Sequence, residues 1–568
     1  MADLLKYLPT TKKETDLRGW DEVDIVFFTG DAYIDHPSFG AAVLGRVLEA
    51  AGFRVAIVPQ PDWHGDFRDF KKFGRPRLYF AVSAGSMDSM VNHYTAAKRR
   101  RSDDAYTPDG RAGMRPDYCT ITYCKILKQL YPDVPVVIGG IEASMRRLTH
   151  YDYWQDKLMP SILVDSGADM LVYGMGEQAM TEIAERGCVH DIPQTAYLTS
   201  DKSEIPENAI MLASHEEAVR DKRTHAENFR LMEIESNKIH QTTLVQPVGK
   251  QYVVVNPSYP PITTEQLDAI FDLPYQYTPH PKYKDKRIPA YDMIKFSINT
   301  HRGCFGGCNF CTIAAHQGKF IQTRSEDSII AEVKALNDLP GFAGNISDLG
   351  APTANMYGMK GKDPSKCDVC RRKSCLFPAP CPNMDRDHTR LLKLYKRVGK
   401  VKGIRHAYIG SGIRYDLFLD EKGFVDSSSE PYLKELVLDH TSGRLKVAPE
   451  HTEDKVLQYI AKPSFRLFER LRREFDKINR EAGRHTELVP YFISSHPGCT
   501  MKDMENLSRQ PALKGLYMDQ VQDFTPTPMT TSSVMFYTGL DPRTMKPVFV
   551  ERDLEKKKLQ KSFFFRRK

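Results

Sequence analysis

The segment from Ile294 to Cys311 reads IKFSINTHRGCFGGCNFC, and it governs how the second half of the chain is interpreted. Its first seven residues predict a buried strand, and three cysteines follow at the spacing CxxxCxxC: Cys304, Cys308 and Cys311. Three thiolates on one short loop can bind three corners of a cubane [4Fe-4S] cluster, while the glycines between them let the backbone turn tightly. A structural zinc site is the competing interpretation, but it needs a fourth ligand that is not apparent in this loop.

The fourth iron of such a cluster has no protein ligand, and this open position predicts a function. The iron can bind the amino and carboxylate groups of S-adenosylmethionine, and an electron from the cluster can then split the sulfonium to give a 5′-deoxyadenosyl radical. Phe310 precedes the last cysteine, where it either packs the loop or faces the adenine ring. The expected cofactors are therefore a [4Fe-4S] cluster and S-adenosylmethionine.

From Ile294 onward, strand-like and helical patterns alternate along the chain. Six runs are predicted strands: Ile294 to Thr300, Asn345 to Leu349, Ala407 to Gly410, Leu445 to Ala448, Leu488 to Ile493 and Tyr517 to Val521. Helical patterns lie between them, as in Pro431 to His440 and Phe465 to Glu481. Six strands, each followed by a helix, predict a partial (β/α)6 barrel with its chemistry at the carboxyl ends of the strands.

The first 190 or so residues show the same rhythm and predict an α/β fold with a doubly wound parallel sheet. The predicted strands are Asp24 to Thr29, Arg54 to Pro59, Leu78 to Ser83, Val134 to Gly140 and Met170 to Gly174. The predicted domains are a Rossmann-like unit at 1–205, a helical segment and linker at 206–290, the barrel at 291–545 with a Cys-rich insertion at 359–385, and a basic tail at 546–568.

The sequence CFGGCNFC from Cys304, at the end of a first barrel strand, resembles the radical S-adenosylmethionine superfamily. Three further stretches resemble the YgiQ family of that superfamily: GDAYIDHPSFG from Gly30, DLGAPTAN from Asp348 and DFTPTP from Asp523. The resemblance covers nearly the whole chain, although the C-terminal extension is short for the family. It implies reductive cleavage of S-adenosylmethionine, with an external electron donor of the flavodoxin or ferredoxin type.

Candidate contacts to S-adenosylmethionine follow the second, third and fourth barrel strands. Asp348 and Gly350 occupy the place of a turn that binds the methionine end, although they serve equally well as a simple strand-closing turn. Ser411 offers a hydroxyl, and Arg414 offers a guanidinium that can bind the cofactor carboxylate as a fork. Glu450 is expected to accept hydrogen bonds from the ribose hydroxyls.

Two residues after the fifth strand have both a structural and a functional interpretation. His496 precedes a proline turn, where histidines are usually structural, and a contact to substrate is the alternative. Cys499 is either a buried inert thiol or a hydrogen donor to a radical. No residue is assigned to catalysis on the substrate, whose identity the sequence does not give.

A second group of four cysteines lies in the insertion after the second barrel strand: Cys367, Cys370, Cys375 and Cys381. Lysines and arginines surround them and would offset the charge of thiolates. The spacing allows a closed zinc knuckle or an auxiliary iron-sulfur cluster and matches neither cleanly. A second metal is therefore predicted with its identity left open.

The N-terminal sheet resembles the cobalamin-binding domain found ahead of some radical barrels. Asp35 and His36 are adjacent, however, whereas the cobalamin-ligating motif of that fold places one residue between its Asp and His. Fold similarity does not by itself confer the ligand. We therefore expect cobalamin to bind weakly or not at all, with a cobalamin-dependent methyl or methylthio transferase as the alternative function.

The composition limits which other classes of protein the chain can belong to. Lys plus Arg is 80 against 73 for Asp plus Glu, and the net charge of +7 is small for 568 residues. No run approaches the ~18 apolar residues of a membrane span, and the N-terminus lacks the pattern of a signal peptide, so a cytoplasmic protein is predicted. The basic tail keeps open an RNA-binding or ribosome-associated protein with a structural metal knuckle.

Overall fold

The protein was analysed as a computed structural model, which describes residues 4–516 and 521–565. Its N-terminal half is built on a nine-stranded sheet. In chain order the strands are β1 Ile25–Thr29, β2 Val55–Pro59, β3 Tyr79–Ser83, β4 Val136–Gly139, β5 Met170–Val172, β6 Thr195–Thr199, β7 Ile210–Met211, β8 Leu244–Val248 and β9 Gln251–Val255. They lie in the order β7-β8-β9-β6-β5-β4-β3-β1-β2.

The first five strands are parallel and form the doubly wound part of this sheet, as predicted. Phe27 at the centre of β1 pairs with Ile57 on one side and with Ala81 on the other. Every residue of β1, β2 and β3 is buried, since helices cover both faces of a parallel sheet. The helices next to these strands are Gly40–Ala50, Cys119–Leu130 and Glu177–Arg186. The strand order reverses between β1 and β3, and ligands bind at such a point in this topology.

The sheet continues into the segment at 206–290 that was predicted to be helical segment and linker. A helix does occupy Lys222–Ser236, but β8 and β9 form an antiparallel hairpin that joins the sheet through β6. The β-branched runs of these two strands favour this pairing more strongly than the nearby prolines oppose it. Pro247 is tolerated because it lies beyond the two residues through which β8 pairs with β7.

The second half forms an open barrel. Its strands are β10 Ser297–Asn299, β11 Asn345–Ile346, β12 Asp348–Gly350, β13 His406–Ala407, β14 Arg444–Glu450, β15 Glu487–Ser494 and β16 Val521–Asp523. Parallel pairing joins β10 to β12, β11 to β13, β14 to β15 and β15 to β16. A parallel bridge between Ile413 and Val447 continues the curve to β14. The partial barrel is confirmed, and residues 517–520 of its sixth predicted strand lie outside the described residues.

Helices cover the outside of the barrel: Glu326–Ala335, Thr389–Gly399, Ser429–Asp439, Phe465–Ala482 and Met501–Ser508. In Phe465–Ala482 the buried residues Phe468, Leu471 and Phe475 recur at helical spacing and pack into the barrel core. The Ser464 side chain accepts a hydrogen bond from the Arg466 N–H at the start of this helix. These helices hold the carboxyl ends of the strands in place around the site.

The C-terminal segment does not behave as a solvated tail. Residues Leu554–Ser562 form a helix in which Gln560 is fully buried and accepts a hydrogen bond from the Ser495 N–H over 3.1 Å. Phe564 packs against Phe492 of β15. The prediction of a simple basic tail is therefore wrong for 554–565, because Lys557, Gln560 and Phe564 are buried against the rest of the chain. Residues 566–568 lie outside the described part. Among the described helices, none has the length and apolar character of a membrane span.

Candidate cluster and cofactor site

The loop at 303–311, hereafter the cluster loop, is held by backbone contacts at both ends. The Cys304 N–H donates to the carbonyl of Gly318, and the Asn309 N–H donates to the carbonyl of Ile460 over 2.9 Å. The Asn309 side chain donates to the Tyr459 carbonyl over 2.7 Å. The loop is thus tied to the chain that follows it and to the end of a barrel helix, which presents its three cysteines together.

The three predicted cluster thiols lie in partly buried positions with few polar contacts. The sulfur of Cys304 is 3.4 Å from the Thr353 hydroxyl, and that of Cys308 accepts a hydrogen bond from Arg414 over 3.2 Å. Burial raises the pKa of Cys304, and burial together with the neighbouring thiols raises the pKa of Cys311 to about 12. Deprotonation of these thiols would therefore require a bound metal or nearby cations.

Arg414 lies beside the cluster loop, but its fork is already occupied. Its Nε and Nη2 donate to the two carboxylate oxygens of Asp416 over 2.9 and 2.5 Å, and only Nη1 remains, directed at Cys308. Both side chains are buried. The structure therefore brings Arg414 to the cysteines, whereas the fork predicted for the cofactor carboxylate binds a carboxylate of the protein.

Asp348, Gly350 and Ser411 are brought together at the carboxyl ends of β12 and β13. The Asp348 carboxylate accepts hydrogen bonds from the Gly410 N–H, the Ser411 N–H and the Ser411 hydroxyl over 2.8–3.1 Å. A Cβ at Gly350 would lie 2.1 Å from the Ser411 oxygen, so the close approach requires glycine. These residues form a closed turn beside the cluster loop, and their contact with a cofactor stays a prediction.

Glu450 ends β14 in a strained conformation. Its φ of 68° lies in the left-handed region, which a side chain adopts at a cost of order 1–3 kcal/mol. Its carboxylate is 3.3 Å from the buried ammonium of Lys462, whose charge lowers the otherwise raised pKa of Cys311. The strained glutamate is thus anchored next to the cluster loop, and its predicted bond to a ribose stays a prediction.

Phe310, His496 and Cys499 mainly pack the structure. Phe310 is half-buried and lies between the barrel core and a second apolar cluster that contains Phe524. His496 is fully buried, with its Nε2 2.6 Å from the Ser532 hydroxyl, and burial lowers its pKa to about 3. Burial raises the pKa of Cys499, whose sulfur is 3.5 Å from His451. The structural interpretation fits His496 and Cys499 better than direct contact with a substrate.

The cysteine insertion, residues 359–385, packs directly on the cluster loop. The Cys375 N–H donates to the Phe305 carbonyl over 3.0 Å, and the Ser374 hydroxyl donates to the Gly306 carbonyl over 2.8 Å. Gly307 has a φ of 63°, and a Cβ there would lie 2.7 Å from the Cβ of Ser374. The two cysteine groups, 56 residues apart in sequence from Cys311 to Cys367, are therefore neighbours in space.

Neither cysteine group is arranged around a single ion. In the described chain, no three His, Cys, Asp or Glu side chains are close enough together to hold one metal ion. Four sulfurs bound to one zinc at ~2.3 Å lie only about 3.8 Å apart, whereas an iron-sulfur cluster spreads its ligands over a larger body. The three thiols at 303–311 have the chemistry that a cluster needs, and the metal of the insertion stays open.

A cavity of about 480 Å³ lies where the parallel sheet faces the barrel. Its wall includes Asp31 after β1, Ser86 after β3 and Gly140 after β4, and on the barrel side His301 and Arg302. His36 is absent from this wall; it is buried, and its Nδ1 accepts a hydrogen bond from the Ser38 N–H. The cavity occupies the ligand position of this topology; the histidines in its wall are His301 and His316, and His36 is not one of them.

Several site residues were not identified from the sequence. Asp416 fills the fork of Arg414, Thr353 contacts Cys304, and Asn355 exchanges two hydrogen bonds of 2.9 Å with the Arg414 backbone. Thr353 and Asn355 belong to the DLGAPTAN stretch that carried the family resemblance. That resemblance could have identified them as site residues. No feature of the sequence marked Asp416 as a site residue, because a carboxylate two residues from an arginine is common on protein surfaces.

Comparison with known proteins gives the same family over nearly the whole chain. The family described as "Radical SAM N-terminal" matches residues 7–297, and a "Domain of unknown function (DUF3362)" matches residues 519–567. A UPF0313 protein of Bacteroides thetaiotaomicron is 56% identical, covering 99% of this chain and 94% of its own. The UPF0313 protein YgiQ of Salmonella typhimurium is 44% identical, covering 94% and 82%.

The chain is also similar to solved structures at low sequence identity. The methyltransferase TsrM from Kitasatospora setae, a radical S-adenosylmethionine enzyme with cobalamin and a [4Fe-4S] cluster bound, is 14% identical with a TM-score of 0.49 and covers 90% of this chain and 78% of its own. On the strength of the sequence matches, the chain belongs to the UPF0313 family of radical S-adenosylmethionine proteins, which includes YgiQ.

Proposed function

We propose that the chain is an enzyme that holds a [4Fe-4S] cluster through Cys304, Cys308 and Cys311 and generates a 5′-deoxyadenosyl radical from S-adenosylmethionine. The observation that carries this proposal is the cluster loop itself, which has three cysteines at CxxxCxxC spacing, one of which accepts a hydrogen bond from a buried guanidinium. When bound, the cluster supplies the one electron that breaks the C5′–S bond, and the radical then abstracts a hydrogen atom from the substrate.

The residues around the loop have supporting roles. Arg414 and Lys462 place two positive charges beside the thiols, which favours thiolate and therefore metal binding. Asp416 keeps the Arg414 guanidinium in place. Asp348, Gly350 and Ser411, together with the strained Glu450, are candidates to orient the methionine and ribose ends of the cofactor.

The direct test is anaerobic reconstitution with iron and sulfide, followed by reduction in the presence of S-adenosylmethionine. About four irons per chain and release of 5′-deoxyadenosine with methionine are expected. The electron is expected from an external donor of the flavodoxin or ferredoxin type, so either donor should replace a chemical reductant. Reconstituted protein that holds the cluster and leaves S-adenosylmethionine intact would contradict the proposal.

A second metal is expected in the cysteine insertion, and its loss should leave the first cluster intact. Cys370→Ala should remove this metal and destabilise the insertion, because the binding energy of a metal site is also folding energy. Metal analysis should show either about four irons plus one zinc, or about eight irons if the site holds an auxiliary cluster. Four irons, no zinc and four freely alkylatable insertion thiols in the native protein would refute the second site.

Cobalamin-dependent methyl or methylthio transfer is a second candidate, favoured by the cavity at the sheet's topological switch point. We nevertheless expect weak binding or none, since His36 is turned into the protein and held by Ser38. Equilibrium dialysis with hydroxocobalamin tests this expectation, with His36→Ala as the matched variant. Tight stoichiometric binding to the wild-type protein would make the transferase the better proposal.

The C-terminal helix gives little support to the RNA-binding alternative. Lys557 is buried over the rings of Tyr153 and Phe536, and burial lowers its pKa to about 8. The ammonium group of Lys557 is therefore not accessible to the phosphate backbone of RNA. Steeply salt-dependent RNA binding without turnover of S-adenosylmethionine would revive this alternative.

A further inference from the structure

Buried arginines separate into two kinds in this protein. The described residues contain seven: Arg46, Arg115, Arg146, Arg147, Arg302, Arg324 and Arg414. Six form an ion pair with a carboxylate, respectively that of Asp35, Asp31 and Asp104, Asp88, Glu177, Glu332 and Asp416. Of these seven arginines, Arg147 alone has no carboxylate of the described residues at ion-pair distance, and only 3% of its surface is exposed. A buried charge without a counter-ion is costly and calls for a partner.

One edge of the Arg147 guanidinium is available for such a partner. Nη1 donates to the Ser144 carbonyl over 2.8 Å and lies 3.0 Å from the sulfur of Met529. Nη2 has only a long contact of 3.4 Å with the Ser236 hydroxyl, and Nε has no hydrogen-bond partner. The guanidinium lies over the ring of Tyr173, 4.7 Å from its centre. Nε and Nη2 together form the side of arginine that binds two oxygens of one carboxylate.

Arg147 lines a cavity of about 630 Å³, which we call the arginine cavity. Its wall also contains Tyr173, Ser236, Gln194 and His316. His316 follows Cys311 by five residues, its Nδ1 is buried without a hydrogen-bond partner, and burial lowers its pKa to about 4, so it is neutral. The arginine cavity thus presents the guanidinium of Arg147 and a neutral imidazole, and its wall includes part of the helix Ile313–Gln317 that follows the cluster loop.

Most other charged groups in this wall are already engaged. Glu177 pairs with Arg302, and Glu182 pairs with Arg186. Lys238 pairs with Glu235, and Lys319 donates to the Arg372 carbonyl over 2.7 Å and lies 3.7 Å from the sulfur of Cys370. Among the described residues, Arg147 and Lys319 are the two buried cations of this wall without a carboxylate partner, and the exposed Glu185 forms no ion pair. Of the two cations, Arg147 has a two-nitrogen edge without a close partner, and that edge matches a carboxylate.

We propose that the arginine cavity is a binding site for a ligand carrying a carboxylate, which pairs with Nε and Nη2 of Arg147. That this ligand is the enzyme's substrate rests on the proposed function, because the cavity adjoins the segment immediately after Cys311. Binding of a carboxylate requires neither the cluster nor S-adenosylmethionine. The two proposals can therefore fail separately.

The test uses the full-length protein, with sodium propionate as the carboxylate probe and propionamide as its neutral isostere at constant ionic strength. Propionate should raise the melting temperature of the wild-type protein and propionamide should not. In Arg147→Met the propionate effect should be lost, with affinity falling roughly 10- to 100-fold, as expected for a charge-assisted hydrogen-bonded pair. Without any probe, Arg147→Met should melt no lower than the wild type, because it removes a buried charge that lacks a partner.

Two results would overturn the inference. One is equal stabilisation of the wild type and Arg147→Met by propionate, or no stabilisation of either. The other is a loss of stability in Arg147→Met comparable to that of Arg146→Met, which leaves Asp88 without its partner and serves as the adjacent control. If the methionine variant fails to fold, Arg147→Lys retains the charge without the two-nitrogen edge and should still lose most of the propionate affinity.

Discussion

Cys308→Ala is expected to abolish both the [4Fe-4S] absorption and the release of 5′-deoxyadenosine. The cluster is held only at three corners, so the loss of one thiolate leaves an iron without a ligand and the cluster cannot remain bound. The same variant also leaves Arg414 without its sulfur contact. Cys304→Ala and Cys311→Ala should have the same effect, because the three positions are equivalent as ligands. Iron content, electron paramagnetic resonance of the reduced protein and chromatography of the products measure the outcome.

The matched control is Cys188→Ala, which removes a half-buried cysteine of the N-terminal half that belongs to neither cysteine group. It should retain about four irons in the first cluster and unchanged deoxyadenosine formation. A protein in which all three cluster-loop cysteines are alanine and which still forms deoxyadenosine would exclude this loop as the site of cleavage. Normal cluster content in the single Cys308 variant would point to a fourth protein ligand.

Asp416→Ala is expected to reduce the stability of the barrel by about 3–5 kcal/mol, because it leaves the buried Arg414 without its carboxylate. The pair is held by two parallel hydrogen bonds and both side chains are less than 10% exposed, so solvent cannot compensate for the lost partner. The loss should be larger in cluster-free protein than in loaded protein, because cluster thiolates provide Arg414 with a second counter-charge. Urea unfolding followed by fluorescence, with and without reconstitution, measures both quantities.

An exposed pair provides the control for this variant. Asp133 contacts Arg75 over 2.6 Å, but more than half of each side chain is exposed, and Asp133→Asn should change stability little. If Asp416→Ala is no less stable than Asp133→Asn, the Arg414 guanidinium must have found another buried partner. The account of the charge next to the cluster loop would then need revision.

The sequence predicted those parts of the fold that local pattern determines. Strands such as Val55–Pro59 are continuous buried apolar runs, so their positions were predicted to within about a residue. The hairpin Leu244–Val255 was missed because its partner β6 lies some 50 residues earlier, and nearby prolines and tyrosines resemble a linker. The C-terminal helix was missed because its many lysines conceal the few buried side chains, Gln560 and Phe564 among them.

For the site, too, features set by neighbouring residues could be predicted from the sequence, whereas contacts between distant residues could not. Cys304, Cys308 and Cys311 could be proposed as cluster ligands from the sequence, because their spacing alone suggests the chemistry. The partner of Arg414 and the lack of a partner for Arg147 could not be read from the sequence, because both depend on which carboxylates the fold brings near. Six of the seven buried arginines look identical to Arg147 until their surroundings are known.

The contact of the cysteine insertion with the cluster loop bears on how such proteins can be recombined. Because Ser374 occupies the space that a side chain at position 307 would need, and Cys375 binds the backbone at Phe305, the shapes of the two segments are mutually dependent. A chimera that exchanges residues 359–385 between relatives therefore has to carry the matching cluster loop with it. Relatives should inherit the two segments as one module, and a graft of either segment alone should misplace the three thiols.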